Sequence, residues 1–125
     1  MVTSFLCIQL LEVNKMKIIK LEFDFLVGPI VKEVFSTSKN ELVTGIEVID
    51  NDSELGELNE KACSLYSSCY EFDKNDACSF NFELAKTHKN ELSNLMNMIV
   101  DRLNSINDGS FEIKDFTKDQ LDSLK

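Results

Sequence analysis

A chain of 125 residues with 43% hydrophobic side chains, four glycines and one proline has the length and composition of one folded domain, which excludes a disordered tract and a second independent core. Its 22 acidic and 13 basic residues leave a net charge of −9, a field that repels phosphate backbones and anionic lipid and so argues against direct nucleic-acid or membrane binding. Ten of the carboxylates (Glu41, Glu47, Asp50, Asp52, Glu54, Glu57, Glu60, Glu71, Asp73 and Asp76) fall between residues 41 and 76, where Lys61 and Lys74 are the only bases.

Residues 1–15 contain an apolar stretch but no basic leader and no small-residue cleavage site, and the stretch is too short to span a bilayer. Met16-Lys17 reads as a start that runs directly into a strand. Residues 1–15 then read as an upstream extension, with an extra N-terminal strand as the alternative, and residues 16–125 as a single domain with a cytoplasmic location. From Lys17, apolar side chains at 19, 21, 23 and 25 alternate with polar ones at 20, 22 and 24, which predicts a half-buried strand. Gly28-Pro29 ends it; Ile30–Phe35 and Leu42–Ile49 read as the second and third strands of an antiparallel meander. Asn51 with Glu54 resembles a capping box that opens a helix carrying Leu55, Leu58, Ala62, Leu65, Tyr66 and Cys69 on one face. Residues 70–82 alternate aromatic and polar side chains around a polar turn at 73–76, consistent with a hairpin or an ordered loop.

The apolar stripe Leu92, Leu95, Met96, Ile99, Val100, Leu103 and Ile106 predicts a long amphipathic helix over 87–107, stopped at Asn107-Asp108-Gly109. Phe111, Ile113 and Phe116 suggest a closing strand, and Thr117 with Gln120 a capping box for a final short helix bearing Leu121 and Leu124. The expected fold is α+β: an antiparallel or mixed sheet of about four strands, two main helices packed on one face, and a short C-terminal helix.

The chain carries no GxGxxG, no P-loop and no nucleophile elbow. Its single histidine, His88, sits beside Lys89 and reads as a surface residue. Cys7, Cys63, Cys69 and Cys78 match neither zinc-knuckle spacing nor a dense disulfide framework, so reduced thiols are expected, with Cys63 and Cys69 at apolar helix positions. An EF-hand beginning at Asp50 fails, because its sixth and twelfth positions are Leu55 and Lys61. No cofactor, metal or catalytic group is expected.

In the segments Gly28-Pro29-Ile30, Thr44-Gly45-Ile46, Ile49-Asp50-Asn51-Asp52, Leu58-Asn59-Glu60 and Tyr66 through Asp73, the chain resembles small acidic immunity proteins. These are the antidotes of bacterial contact-dependent growth inhibition and related polymorphic toxin systems. The resemblance covers residues 16–116 in size, acidity and texture. It implies a non-catalytic protein that binds one basic toxin domain, often a nuclease, and blocks its active site.

Physical reasoning supplies the candidate interface. Glu47, Asp50, Asp52, Glu54, Glu57, Glu60, Glu71 and Asp73 are expected to meet the basic partner, with Tyr66, Tyr70 and Phe72 as desolvated anchors. The same acids can instead serve as a solvated face or complement a helix dipole, and the same rings can be core. Two other readings stay open: a phage-type nucleic-acid mimic that inhibits a defence nuclease, and a small ligand-binding domain or enzyme with a carboxylate site.

Overall fold

The structure, a computed structural model, describes residues 16–124. The proposed extension at 1–15 and Cys7 lie outside the described residues. The element order is β1 (Lys17–Leu21), β2 (Val34–Ser36), β3 (Glu41–Val43), α1 (Glu47–Asp50), α2 (Ser53–Ser67), β4 (Tyr70–Phe72), β5 (Cys78–Phe80), α3 (Phe82–Ile106), β6 (Phe111–Asp115) and α4 (Thr117–Asp122). The fold is α+β.

Helix α3 is the longest element, and its stripe Leu92, Met96, Ile99 and Leu103 is buried, as the sequence period requires. Helix α2 lies along it and contributes Leu55, Leu58 and Ala62 to the same core. Ile19 and Leu21 of β1 and Phe111 of β6 close that core from the sheet side. Each fully buried aliphatic side chain of this set contributes about 1.5–3 kcal/mol of transfer free energy.

The strands do not join in the expected antiparallel or mixed sheet of about four strands with a three-strand meander. Three separate two-stranded ladders form instead, and β1 pairs in parallel with β6 from the far end of the chain, Ile19 opposite Ile113. Residues 29–31 do run antiparallel to β1: Glu22 N donates to the Pro29 carbonyl at 2.8 Å and Val31 N to the Lys20 carbonyl at 3.0 Å. The pairing stops there, because β2 turns away to form a small hairpin with β3. Gly28, in the turn that leads into residues 29–31, sits at φ +76°, and a Cβ there would stand 2.4 Å from the Glu22 carbonyl oxygen, so only glycine fits.

The predicted third strand, Leu42–Ile49, is also interrupted. Its second half is the short helix α1, because the Asp50 carboxylate gathers Thr44 N at 2.9 Å, Thr44 Oγ1 at 2.8 Å and Gly45 N at 3.0 Å, folding the chain back on itself. Helix α2 is capped one residue later than expected: Asp52, not Asn51, accepts from Leu55 N at 2.9 Å. Helix α3 begins at Phe82, five residues before the apolar stripe suggested, since Asn81 caps it by accepting from Leu84 N at 2.9 Å. Residues 70–80 form the hairpin alternative. At the C-terminus Gln120 does not cap α4; its amide holds both backbone groups of Phe23, Oε1 accepting at 2.7 Å and Nε2 donating at 3.1 Å.

Asp52 links the two long helices as well as capping one. Its side chain is 8% exposed and accepts from Arg102 Nη2 at 2.6 Å and Nε at 3.0 Å, while Glu54 approaches Nε at 3.2 Å. The Arg102 hydrogen bond holds the Asp52 carboxyl below the usual carboxylate range, against the opposing effect of its burial. A lowered folded-state value means this stabilisation is present above about pH 4, where the unfolded aspartate is ionised, and is lost as pH falls through the folded value. Replacing Asp52 by Asn should therefore lower stability at neutral pH and flatten its decline on acidification. Asp52→Ala should cost about 1 kcal/mol more, because alanine also removes the cap. Urea unfolding followed by circular dichroism between pH 7 and pH 3 checks both, and parallel acid limbs for wild type and Asp52→Asn would refute the assignment.

Candidate functional site

The structure divides the expected interface between the two ends of α2. Glu54 and Tyr66 are twelve residues apart in one helix, which places them about 18 Å apart along its axis.

At the N-terminal end, several carboxylates serve the fold. Asp50 holds the 44–45 turn, Asp52 caps α2 and pairs with Arg102, and Glu54 shares that arginine. Glu47 is exposed in the first turn of α1, where it complements the helix dipole. Glu57 and Glu60 are exposed on α2 and line an open groove of about 530 Å³ against α3, with Leu65 and Leu95 at its floor and Glu91 and Lys61 at its margin.

At the C-terminal end the rings gather. Phe23, Phe25, Tyr66, Tyr70, Phe72, Phe80 and Phe82 join in one network drawn from the segment after β1, the end of α2, the β4–β5 hairpin and the start of α3. Phe23 lies flat on Tyr66, centroids 4.8 Å apart and planes 11° apart. Tyr66 meets Tyr70 edge to face at 5.9 Å, Tyr70 meets Phe80 at 5.0 Å, and Phe80 meets Phe82 at 4.9 Å. Such pairs add about 0.5–1.5 kcal/mol beyond the area they bury.

This network begins in the core and ends in solvent. Phe23 is buried, whereas Phe72 is 56% exposed, Phe82 61%, Val27 52% and Leu26 71%. Leu26 also occupies the left-handed region at φ +61°, which costs a bulky L-residue about 1 kcal/mol or more. Ser67 Oγ holds the strained turn by accepting from Leu26 N at 2.9 Å. Leu26, Val27, Phe72 and Phe82 are thus exposed apolar side chains at this end of the molecule, and the backbone that carries Leu26 is strained.

Carboxylates border this face. Glu71 accepts from Asn81 Nδ2 at 2.7 Å, so the residue that caps α3 also fixes the Glu71 head group. Asp73 turns inward to its own hairpin, accepting from Asn75 N at 2.8 Å and Ala77 N at 2.9 Å. Tyr66, Tyr70 and Glu71 are thus brought together as expected, with Phe72 beside them; Asp73 shapes the turn that presents them. Sequence reasoning missed Leu26, Val27 and Phe82 as exposed groups, and Phe25 and Phe80 as half-buried members of the ring network. The uninterrupted apolar run Phe25-Leu26-Val27 just before the Gly28-Pro29 turn was the available signal.

The described cysteines are free. Burial pushes the Cys69 thiol up, and its Sγ donates to the Leu65 carbonyl at 3.7 Å, the environment of a core thiol rather than a nucleophile. Among the described residues, no group of three or more His, Cys, Asp or Glu side chains is arranged to hold a metal ion, and no helix is long and apolar enough to cross a membrane. Comparison with protein-family models, curated proteins and solved structures returns no match.

Leu26→Gly tests the surface role. Glycine relieves the left-handed strain, so the variant should be as stable as wild type or more stable by up to about 1 kcal/mol in urea unfolding. A loss above that figure would show that the Leu26 side chain is a packing element.

Proposed function

We propose that this chain is a non-catalytic antidote that binds a basic protein toxin domain, one to one, and neutralises it, in the manner of the immunity proteins of bacterial contact-dependent inhibition systems. The observation that supports this reading best is the exposed aromatic and aliphatic face at the end of α2, formed by Leu26, Val27, Phe72 and Phe82 and bordered by Glu71. Interface energy concentrates in desolvated aromatic anchors, while surrounding charge sets association rate and partner choice. In this reading the rings anchor the complex, and Glu57, Glu60 and the rest of the acidic excess steer a basic partner toward it. The cytoplasm, where such a toxin would act, is the proposed location.

This reading accounts for the structure better than the nucleic-acid mimic. A mimic depends on a row of free carboxylates in place of phosphates, and Asp50, Asp52, Glu54 and Asp73 are engaged within the fold.

Co-expression with the product of the adjacent upstream gene, followed by co-purification and a nuclease assay at low and high salt, tests the proposal. A one-to-one complex that suppresses the nuclease is expected. Phe72→Ala and Phe82→Ala should each weaken it by about tenfold or more, mainly through faster dissociation, while the fold stays intact and stability falls by no more than about 1.5 kcal/mol from the lost ring pair. Glu57→Lys with Glu60→Lys should slow association, and the difference should shrink at high salt. Full affinity in both phenylalanine variants would refute the anchor assignment; absence of any complex, with stabilisation by a metabolite instead, would refute the antidote reading.

A further inference from the structure

The β1–β6 sheet ends at an open edge. Residues 29–31 lie along the far side of β1, and among the described residues no strand pairs with the outer side of β6. The bonds at the two ends of the ladder show which groups that side carries. Lys17 N donates to the Ser110 carbonyl at 3.2 Å and Phe116 N to the Leu21 carbonyl at 2.8 Å, so the even-numbered residues of this stretch turn their backbone groups toward β1. Alternate residues turn theirs to opposite edges, which leaves Phe111, Ile113 and Asp115 facing outward. The Phe111 carbonyl accordingly takes its donor from a side chain, Asn107 Nδ2 at 3.0 Å.

A row of outward N–H and C=O groups is a template for another strand, and charged side chains restrict what can use it. Here Glu112 and Lys114, both exposed, flank Ile113. Those charges select a partner. When two β6 strands meet antiparallel with their outward residues opposed, a two-fold axis at Glu112 sets that glutamate against itself, and an axis at Lys114 sets that lysine against itself. An axis at Ile113 instead sets Glu112 of each copy opposite Lys114 of the other, with Ile113 opposite Ile113. Opposite charges directly across a strand pair are favourable and like charges are not. A two-fold interface must be complementary to itself, and Phe-Glu-Ile-Lys-Asp meets that condition in the register centred on Ile113.

We propose that β6 is a homodimerisation edge, through which two copies of this chain pair antiparallel over Phe111–Asp115 with the axis at Ile113. The pairing joins two ladders of two strands each into one continuous sheet of four, in the order β1, β6, β6, β1. Ile113, half-buried in the single chain, gains its counterpart as a cross-strand neighbour. The inference stands apart from the antidote reading. Strand β6 contains none of Leu26, Val27, Phe72 or Phe82, so each copy keeps its own exposed apolar face and the ratio to a bound partner stays one to one.

Two short strands make a contact at the small end of the interface range, so the dimer should form at about 10–100 µM. Analytical ultracentrifugation of the full chain over a concentration series reads it, in about 0.15 M salt to screen repulsion between two acidic molecules. Glu112→Lys and Lys114→Glu each turn both cross-strand pairs into like-charge pairs and should weaken dimerisation by about tenfold or more. The double variant, which exchanges the two charges, should restore it. Both side chains are exposed, so circular dichroism should be unchanged in all three variants.

A wild-type chain that stays monomeric at about 500 µM would overturn the proposal. So would single reversals that leave a dimer intact, or a double exchange that fails to restore it. A monomer whose Ile113 amide is nonetheless protected from hydrogen exchange would also overturn it, and would show that another segment of the same chain covers the edge.

Discussion

Everything at the candidate site depends on the seam between α2 and α3. Leu55, Leu58 and Ala62 from one helix and Leu92, Met96, Ile99 and Leu103 from the other are removed from water together, and that burial sets the orientation of α2. The Asp52–Arg102 pair then fixes the register of the seam at one end, where both groups are polar and one is largely desolvated. With its axis and register set, α2 acts as a ruler: it places Asp52 and Glu54 at the fold's polar clamp and Tyr66 at the base of the aromatic face.

The two ends of that ruler answer opposite demands. At the N-terminal end, acidic side chains stabilise the helix dipole, a turn and an interhelical ion pair, so part of the negative charge is explained by stability alone. At the C-terminal end, the chain keeps apolar groups in water and holds Leu26 in an unfavourable backbone region. Folding by itself does not select for either feature. A partner that covers Leu26, Phe72 and Phe82 offsets both, which is why the binding reading starts from this end and assigns the freer glutamates of α2 a steering role.

The α+β class, the stripe of α3 and the apolar face of α2 were legible in the sequence because a single local period generates them. Gly109 also takes its expected left-handed conformation just beyond α3. What was not legible came from long-range pairing. The parallel partnership of β1 with β6 joins Ile19 to Ile113 across almost the whole chain, and no local pattern encodes it. Asp50 and Asp52 read as free surface acids because Thr44, Gly45 and Arg102, which engage them, are visible only in three dimensions. Asn81 went unread as a cap because flanking Phe80 and Phe82 made the segment look like continuing strand. The alternating aromatics announced Tyr70 and Phe72; Phe25 and Leu26 joined them only through a turn whose strain is a property of the fold.

The central claim is that recognition is carried by the aromatic end of α2 and not by the acidic cluster at its start. Amide hydrogen exchange on the complex with the adjacent gene's product, compared with the free protein, examines this most directly. The account predicts new protection in residues 24–27 and 66–82, with residues 47–60 little changed. Protection confined to residues 47–60, with the aromatic face exchanging as in the free protein, would contradict it.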